Sequence, residues 1–382
     1  MKLISVEPTP SPNTMKLNLD ETLPAGIRRT YTRDYPGSIP DKVRKILQVQ
    51  GVTSVYHAAD FLAVDRHPKG DWKAILSEVR DILGDASGAE GAGSVNVAEE
   101  GANADAAFGE VRVAVQYFRG IPMQVRVYAE TEEQRIALPE RFSAAAIEAG
   151  LASPNLIKER RLEEHGVRYG ELPEVLADVA RELDAAYPDE RLTELLQSAA
   201  QLQPGEAPIR KTTSPGSLEE AWKSEDWRVR YAALERVKPE PELLPQLERA
   251  LKDPQVSIRR LAAVYLGDLK NDAAIDLLAG ALKDPSPIVR RTAGDTLSDI
   301  GDPAATPAMA EALADKNKLV RWRAARFLYE IGDERALSAL RSALDEPEFE
   351  VRMQVQMALT RIEGGEAAVG SVWQQMTNRE RG

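Results

Sequence analysis

His57, His67 and His165 are the only histidines among 382 residues, and the chain has no cysteine. Disulfides, thiol catalysis, thiolate zinc sites and thiolate-held iron–sulfur clusters are therefore excluded as intrinsic activities. The three histidines have no companion at a metal-ligand spacing, so no metal and no cofactor is expected. Aspartate and glutamate number 61 together, too many and too scattered for any two to stand out as an acid/base couple. The glycines of Gly84 to Ala107, G-D-A-S-G-A-E-G-A-G-S-V-N-V-A-E-E-G-A-N-A-D-A-A, raise the question of a phosphate cradle. That chemistry also needs a lysine followed by a hydroxyl residue, and a strand running into the loop, and neither is present. A flexible linker is the reading that fits. No catalytic constellation emerges.

The feature with chemistry in its spacing is a Val/Ile-Arg pair at Val229, Ile258, Val289, Val320 and Val351, with steps of 29, 31, 31 and 31 residues. A unit of this length holds two short helices, which bury their apolar faces only by stacking on further copies. First helices carry Leu243/Leu244/Leu247/Leu251, Ile275/Leu278/Leu282 or Leu337/Leu340/Leu344 at helical spacing,. An acidic turn follows, at Asp253, Asp284 and Asp315, with an arginine six residues later at Arg259, Arg290 and Arg321; Glu346 and Arg352 repeat the spacing. The pattern resembles HEAT-like repeats, and the resemblance implies a structural ladder in which these acids and arginines join adjacent units.

In the second helix, positions 0, +4, +8 and +11 from the Val/Ile form the buried stripe, as in Val289, Ala293, Leu297 and Ile300,. The opposite face centres on +2, +6 and +9. Position +2 is Tyr231, Arg260, Arg291, Trp322 and Met353; position +6 is Glu235, Val264, Asp295, Arg326 and Met357, with Tyr329 at +9 of the fourth copy. Tyr, Trp, Arg and Met are the types enriched at the energetic centres of protein interfaces. Tyr231, Arg260, Arg291, Trp322, Arg326 and Met353 are thus candidate partner-binding residues on a concave face. Packing on the seams between repeats explains the same large side chains, and both readings stand. Trp222, Trp227 and Trp322 suit helix cores as well as base stacking. The basic run Lys316, Lys318, Arg321, Arg323 and Arg326 suits a solvated helix start as well as an acidic contact.

Ahead of the repeats, alternation over Leu3–Val6 and Met15–Leu19 predicts two strands. A helix is expected from about Pro40 to Gly51, a strand pair over Val52–Tyr56 and Phe61–Val64, and a closing helix through Trp72, Ile75, Val79 and Leu83. The start T-P-S-P-N at Thr9–Asn13, with G-V-T-S-V-Y at Gly51–Tyr56 and D-F-L-A-V at Asp60–Val64, resembles the N-terminal domain of Nfu/NifU scaffold proteins. The cysteine-bearing cluster domain of that family is absent, so the resemblance implies a docking module and at most an accessory role in iron–sulfur protein biogenesis. Beyond the linker, Val111–Phe118 and Met123–Tyr128 alternate across Arg119-Gly120-Ile121-Pro122, a β-hairpin, with helices around 139–149 and 172–186.

The order of these parts, with Q-Y-F-R-G-I-P-M-Q-V at Gln116–Val125 and L-P-E-R-F at Leu138–Phe142, resembles the bacterial conserved virulence factor C family over essentially the whole chain. The expected architecture is multidomain. It comprises a small α/β domain at 1–83, a linker at 84–107, an α+β middle domain at 108–203, a linker at 204–216, a repeat solenoid at 217–362 and a cap or tail at 363–382. The formal charge of −12 is concentrated at 84–221, where 13 basic face 25 acidic residues, while the repeats are near neutral. Neither region has the cationic field of a nonspecific nucleic-acid binder. This weighs against a HEAT-like DNA glycosylase, and nucleic acid and membrane are not expected partners. The sequence expectation is a non-enzymatic cytoplasmic scaffold that binds proteins and regulates virulence-type gene output.

Overall fold

The computed structural model describes residues 1–8, 13–24, 27–67, 70–84, 110–129, 132–151, 159–199 and 212–368. The Pro-rich turn at 9–12, the glycine-rich segment from 85, the second linker up to 211 and the tail from 369 lie outside the described residues. The chain divides into two compact units, 1–109 and 110–382.

In the first unit, β1 (Leu3–Pro8), β2 (Thr14–Leu19), β3 (Arg28–Tyr31), α1 (Asp41–Gln48), β4 (Val52–Ala58), β5 (Phe61–Arg66) and α2 (Trp72–Leu83) follow in order. The strands form an antiparallel sheet in the order β1-β2-β5-β4-β3. Alternation decides which face is buried: Met15, Leu17 and Leu19 point inward while Lys16 and Asn18 do not,. Val43, Ile46 and Leu47 of α1, with Trp72, Ile75, Val79 and Leu83 of α2, complete the core. Strand β3 escaped the sequence reading because its R-R-T-Y has one buried residue, Tyr31, and three exposed ones, so it carries no alternation to detect.

The second unit begins with β6 (Glu110–Phe118) and β7 (Ile121–Ala129). Arg119 and Gly120 form the turn between them with φ of 48° and 81°, the left-handed geometry of a two-residue hairpin. A non-glycine residue in that region is costly, and Arg119 is held there by its Nε donating to Glu159 at 2.7 Å and its Nη1 to the Ala199 carbonyl at 2.6 Å. Next come β8 (Glu132–Ala137), α3 (Glu140–Gly150), β9 (Arg160–Tyr169), α4 (Leu172–Ala186) and α5 (Asp189–Ala199). The sheet order is β8-β7-β6-β9. Helix α4 packs on β7 and β8 and also on the repeats.

Five helix pairs follow: α6 (Pro215–Ala221) with α7 (Trp227–Glu235), α8 (Leu244–Ala250) with α9 (Val256–Leu269), α10 (Asp272–Ala281) with α11 (Pro287–Ile300), α12 (Thr306–Ala312) with α13 (Lys318–Glu330), and α14 (Leu337–Ser342) with α15 (Phe349–Glu363). The 31-residue period is thus one pair. Val289, Ala293 and Leu297, then Val320, Ala324 and Leu328, are buried in the stack; Ile300 is half-buried.

The arginines of the first four pairs each reach the acidic turn of the next pair. Arg230 donates Nε and Nη2 to Asp253 at 2.7 and 3.0 Å, and Arg259 to Asp284 at the same two distances. Arg290 does so to Asp315 at 2.6 and 2.8 Å, and Arg321 to Glu346 at 2.8 Å by both nitrogens. The Nη1 of Arg259, Arg290, Arg321 and Arg352 instead donates to the carbonyl of its own turn's acid, at Asp253, Asp284, Asp315 and Glu346 respectively. The acids also accept the backbone N–H two residues on, as Asp284 does from Ser286 at 2.7 Å. Planar bidentate pairing and capping by one carboxylate fix the step from one pair to the next.

Candidate partner-binding cleft

Helix α4 brings an acid where its neighbours are apolar. Leu172, Val175, Leu176, Val179 and Leu183 are buried, and so is Glu182, at 6% exposure. Its Oε2 accepts from Arg168 of β9 at 3.1 Å, from the Tyr231 hydroxyl of α7 at 3.3 Å and from Arg260 of α9 at 3.4 Å. Burial alone would raise this carboxyl. Arg260 and Arg168, with a hydrogen bond from Ser257, outweigh burial and hold it at about 2,. Burial correspondingly lifts the Tyr231 phenol, which faces Glu182, well above its ordinary range.

A second polar junction lies at the end of β9. The Arg291 guanidinium stands 4.2 Å from the Tyr169 ring centre,. Its Nη1 donates to the Leu319 carbonyl at 2.6 Å, its Nε reaches Asp295 at 3.1 Å, and Glu110 of β6 lies 3.8 Å away. Arg323 is 2.6 Å from Asp295 and 3.9 Å from Glu110. These two clusters fasten the middle sheet to the inner helices of the repeats.

The fate of the +2 row follows from those contacts. Tyr231, Arg260 and Arg291 are covered by Glu182, Tyr169 and Glu110 of the same chain, and Arg291 and Trp322 are only 1% and 2% exposed. Arg326 is buried and donates to Glu330 at 2.6 Å; Met353 is half-buried. At Tyr231, Arg260 and Arg291 the row is an internal seam and not the open surface expected of it, because the middle segment sits there. Trp222 and Trp322 are buried and Trp227 packs edge-on against Tyr231 at 6.0 Å, positions that suit packing. Lys318 of the basic run pairs with Glu348 at 3.6 Å.

Beside the seam the protein leaves a cleft of about 1300 Å³, walled by β9, α5 and the inner repeat helices α7, α9, α11 and α13. The +6 residues Glu235, Val264 and Asp295 line it, as do Asp268 and Asp299, which the sequence reading missed. A signal existed: counted from the Val/Ile, position +10 is Asp268, Asp299 and Glu330 in successive copies, an acidic row with the repeat period. Asp299 is open to solvent within the cleft. The protein mass around it, opposed by Arg323 and reinforced by Asp295, Glu330 and Glu110, pushes its carboxyl up to about 6. His165 also lines the cleft, while His57 is buried in the first unit and lowered by that burial. Among the described residues no group of three His, Cys, Asp or Glu is placed to hold a metal ion, and no helix is long and apolar enough to cross a membrane.

Family descriptions match in the order of the fold: the Nfu/NifU scaffold N-terminal domain over 4–89, a virulence factor domain over 116–196, and HEAT repeats over 214–286 and 276–360. A protein of Bacillus subtilis printed as uncharacterized protein YpgR is 54% identical over the full length of both chains. Conserved virulence factor C of Staphylococcus aureus is 45% identical, covering 99% of this chain and all of its own, and that of Staphylococcus saprophyticus is 39% identical over the whole of both. The chain belongs to the conserved virulence factor C family. Among solved structures, S. aureus protein SAV1430 is 38% identical, covering 22% of this chain and 98% of its own with a TM-score of 0.21. In this member of the conserved virulence factor C family, the virulence factor domain supplies β9 and Glu182, and the HEAT repeats supply the opposite wall of the cleft.

Proposed function

We propose that the protein is a non-enzymatic adaptor that holds a protein partner in the cleft between β9 and the inner repeat helices, and that it acts on virulence-type gene output through that partner. The observation that carries this reading is the cleft itself. Its walls come from two different parts of the chain, fastened by buried ion pairs, and its described lining is charged and polar. HEAT repeats generally present such concave walls to proteins. Residues 1–84 serve as a second docking module, in keeping with the scaffold domain they match.

The test is site-specific photo-cross-linking of the full chain in its own bacterium. Val264, 40% exposed in the cleft, and Val229, 48% exposed and outside its lining, are each replaced by a benzoylphenylalanine. A discrete cross-linked protein at 264 and none at 229 is expected; equal labelling, or none at 264, would contradict the reading.

A further inference from the structure

The arginine ladder of the repeats is set up for one rung more than the five pairs use. Arg230, Arg259, Arg290 and Arg321 donate Nε and Nη2 to the acid of the following turn. Arg352 of α15 is the fifth of the series. Its Nη1 donates to the Glu346 carbonyl of its own turn and to that of Pro347 at 3.3 Å. The Nη1 of the other four does the same to Ser224, Asp253, Asp284 and Asp315. That bond sets the direction of a planar guanidinium. Among the described residues no sixth helix pair follows α15, so the fork of Arg352 has no following turn to meet.

Burial changes at the same face. Leu282 and Leu313, at the ends of α10 and α12, are 6% and 5% exposed; Leu344, one repeat further on, is 38% exposed. In the second helices Leu266, Leu297 and Leu328 are fully buried, and their counterpart Leu359 is half-buried. Gly294 and Ala325 occupy equivalent buried positions, and a Cβ at Gly294 would lie 3.1 Å from the Arg323 side chain of the next pair. The residue of α15 at that position is Gln356, which is exposed. The end of the stack is therefore apolar at Leu344 and Leu359, cationic at Arg352 and polar at Gln356. A repeat that only closes a stack turns a polar face outward.

The inner rungs define what fits such an end. In each, the acid stands two residues ahead of the helix N-cap, as Asp253, Asp284, Asp315 and Glu346 do before Gln255, Ser286, Asn317 and Glu348. The carboxylate accepts the N–H of that residue while it takes the arginine fork, which holds it in plane for two parallel bonds. The chain does not repeat this acid at the matching registers. Thr377 stands 31 residues past Glu346, and Ser224 stands six residues before Arg230, where the other pairs carry Asp or Glu. Charge complementarity thus points to a different protein.

We infer that the last helix pair docks a partner protein through an acidic helix entry of that partner. An aspartate or glutamate two residues ahead of the partner's N-cap receives Nε and Nη2 of Arg352, and an apolar residue of the same helix start covers Leu344 and Leu359. The arginine selects the acid and the two leucines supply the buried area. Gln356 bars the close helix approach seen at Gly294, so a single helix start fits the end better than a whole further repeat. Among the described residues α14 and α15 contribute nothing to the lining of the cleft, and this surface does not depend on the cleft reading.

A display library on a helical-bundle scaffold, randomised over one helix entry and the first turn of its helix, is panned on the full chain. Recovered binders are expected to carry Asp or Glu two residues ahead of the N-cap. Their Kd is expected to rise about tenfold or more with Arg352→Lys, which keeps the charge and loses the fork, and by a similar factor with Leu344→Ser. Leu344 is exposed, so the second substitution spares the fold. Binders without an acid at that place, no binders at all, or a Kd indifferent to both substitutions overturns the inference. So does binding that appears only once residues 369–382 are removed, since the tail would then be the occupant. A dimer, seen by light scattering, that Arg352→Lys dissolves would overturn it in favour of a second copy. The photo-cross-link at 264 reads the cleft alone, so the two readings fail separately.

Discussion

Replacing Glu182 with alanine should destabilise residues 110–382 by about 3–5 kcal/mol, because it leaves Arg168 and Arg260 buried without their shared counter-charge,. Tryptophans in the repeats report the loss as a lower urea midpoint. The conservative Glu182→Gln separates charge from shape through pH. The folded carboxyl is held at about 2 against an ordinary 4.5, so its charged form favours the folded state. That contribution is complete above the unfolded value and disappears as pH falls toward the folded one. The midpoints of wild type and Glu182→Gln therefore converge near pH 2 and lie furthest apart above about pH 5, by about 3 kcal/mol. A gap independent of pH would show that Glu182 is not an ionised hub.

Trp322→Ala carries the other large effect, about 3–5 kcal/mol from deleting a fully buried indole,. The guanidiniums of Arg291 and Arg323 each stand 5.3 Å from its ring centre, so part of the loss is shared with them, and Arg291→Ala combined with Trp322→Ala is expected to fall short of additivity. An open contact residue would behave differently: its removal would leave the unfolding midpoint in place and affect only binding. Thermal and urea midpoints of the single and double variants decide between the two.

The repeats were legible because their period is written in the chain. Five Val/Ile-Arg pairs with apolar residues at helical spacing announce stacked helix pairs, and the acidic turns announce bidentate partners. The hairpin of β6 and β7 was equally plain from alternation. Strands β8 and β9 were not, since edge strands exposed along most of their length lose the alternation that marks a buried face. The packing of the middle sheet on the repeats is a long-range event with no period of its own. Two particular residues nevertheless hinted at it. Glu182 sits on the apolar stripe of α4, where a charge implies buried partners, and the +2 row is too large and too arginine-rich to face solvent at every step. Tyr231, Arg260 and Arg291 were recognisable as contact residues; that their partner is the same chain was not.

The near-neutral charge of the repeats weighs on the nucleic-acid alternative, which needs a cationic groove.

Everything proposed for the cleft depends on the middle segment and the repeats forming one body. The most direct measurement is a double-mutant cycle joining Glu182 of α4 to Arg260 of α9, using Glu182→Gln, Arg260→Gln and the double variant in urea unfolding of the full chain. Coupling of at least about 1 kcal/mol is expected for two buried charges in contact. Additivity within about 0.3 kcal/mol would mean that the two parts do not meet there, and the cleft between them would lose its wall.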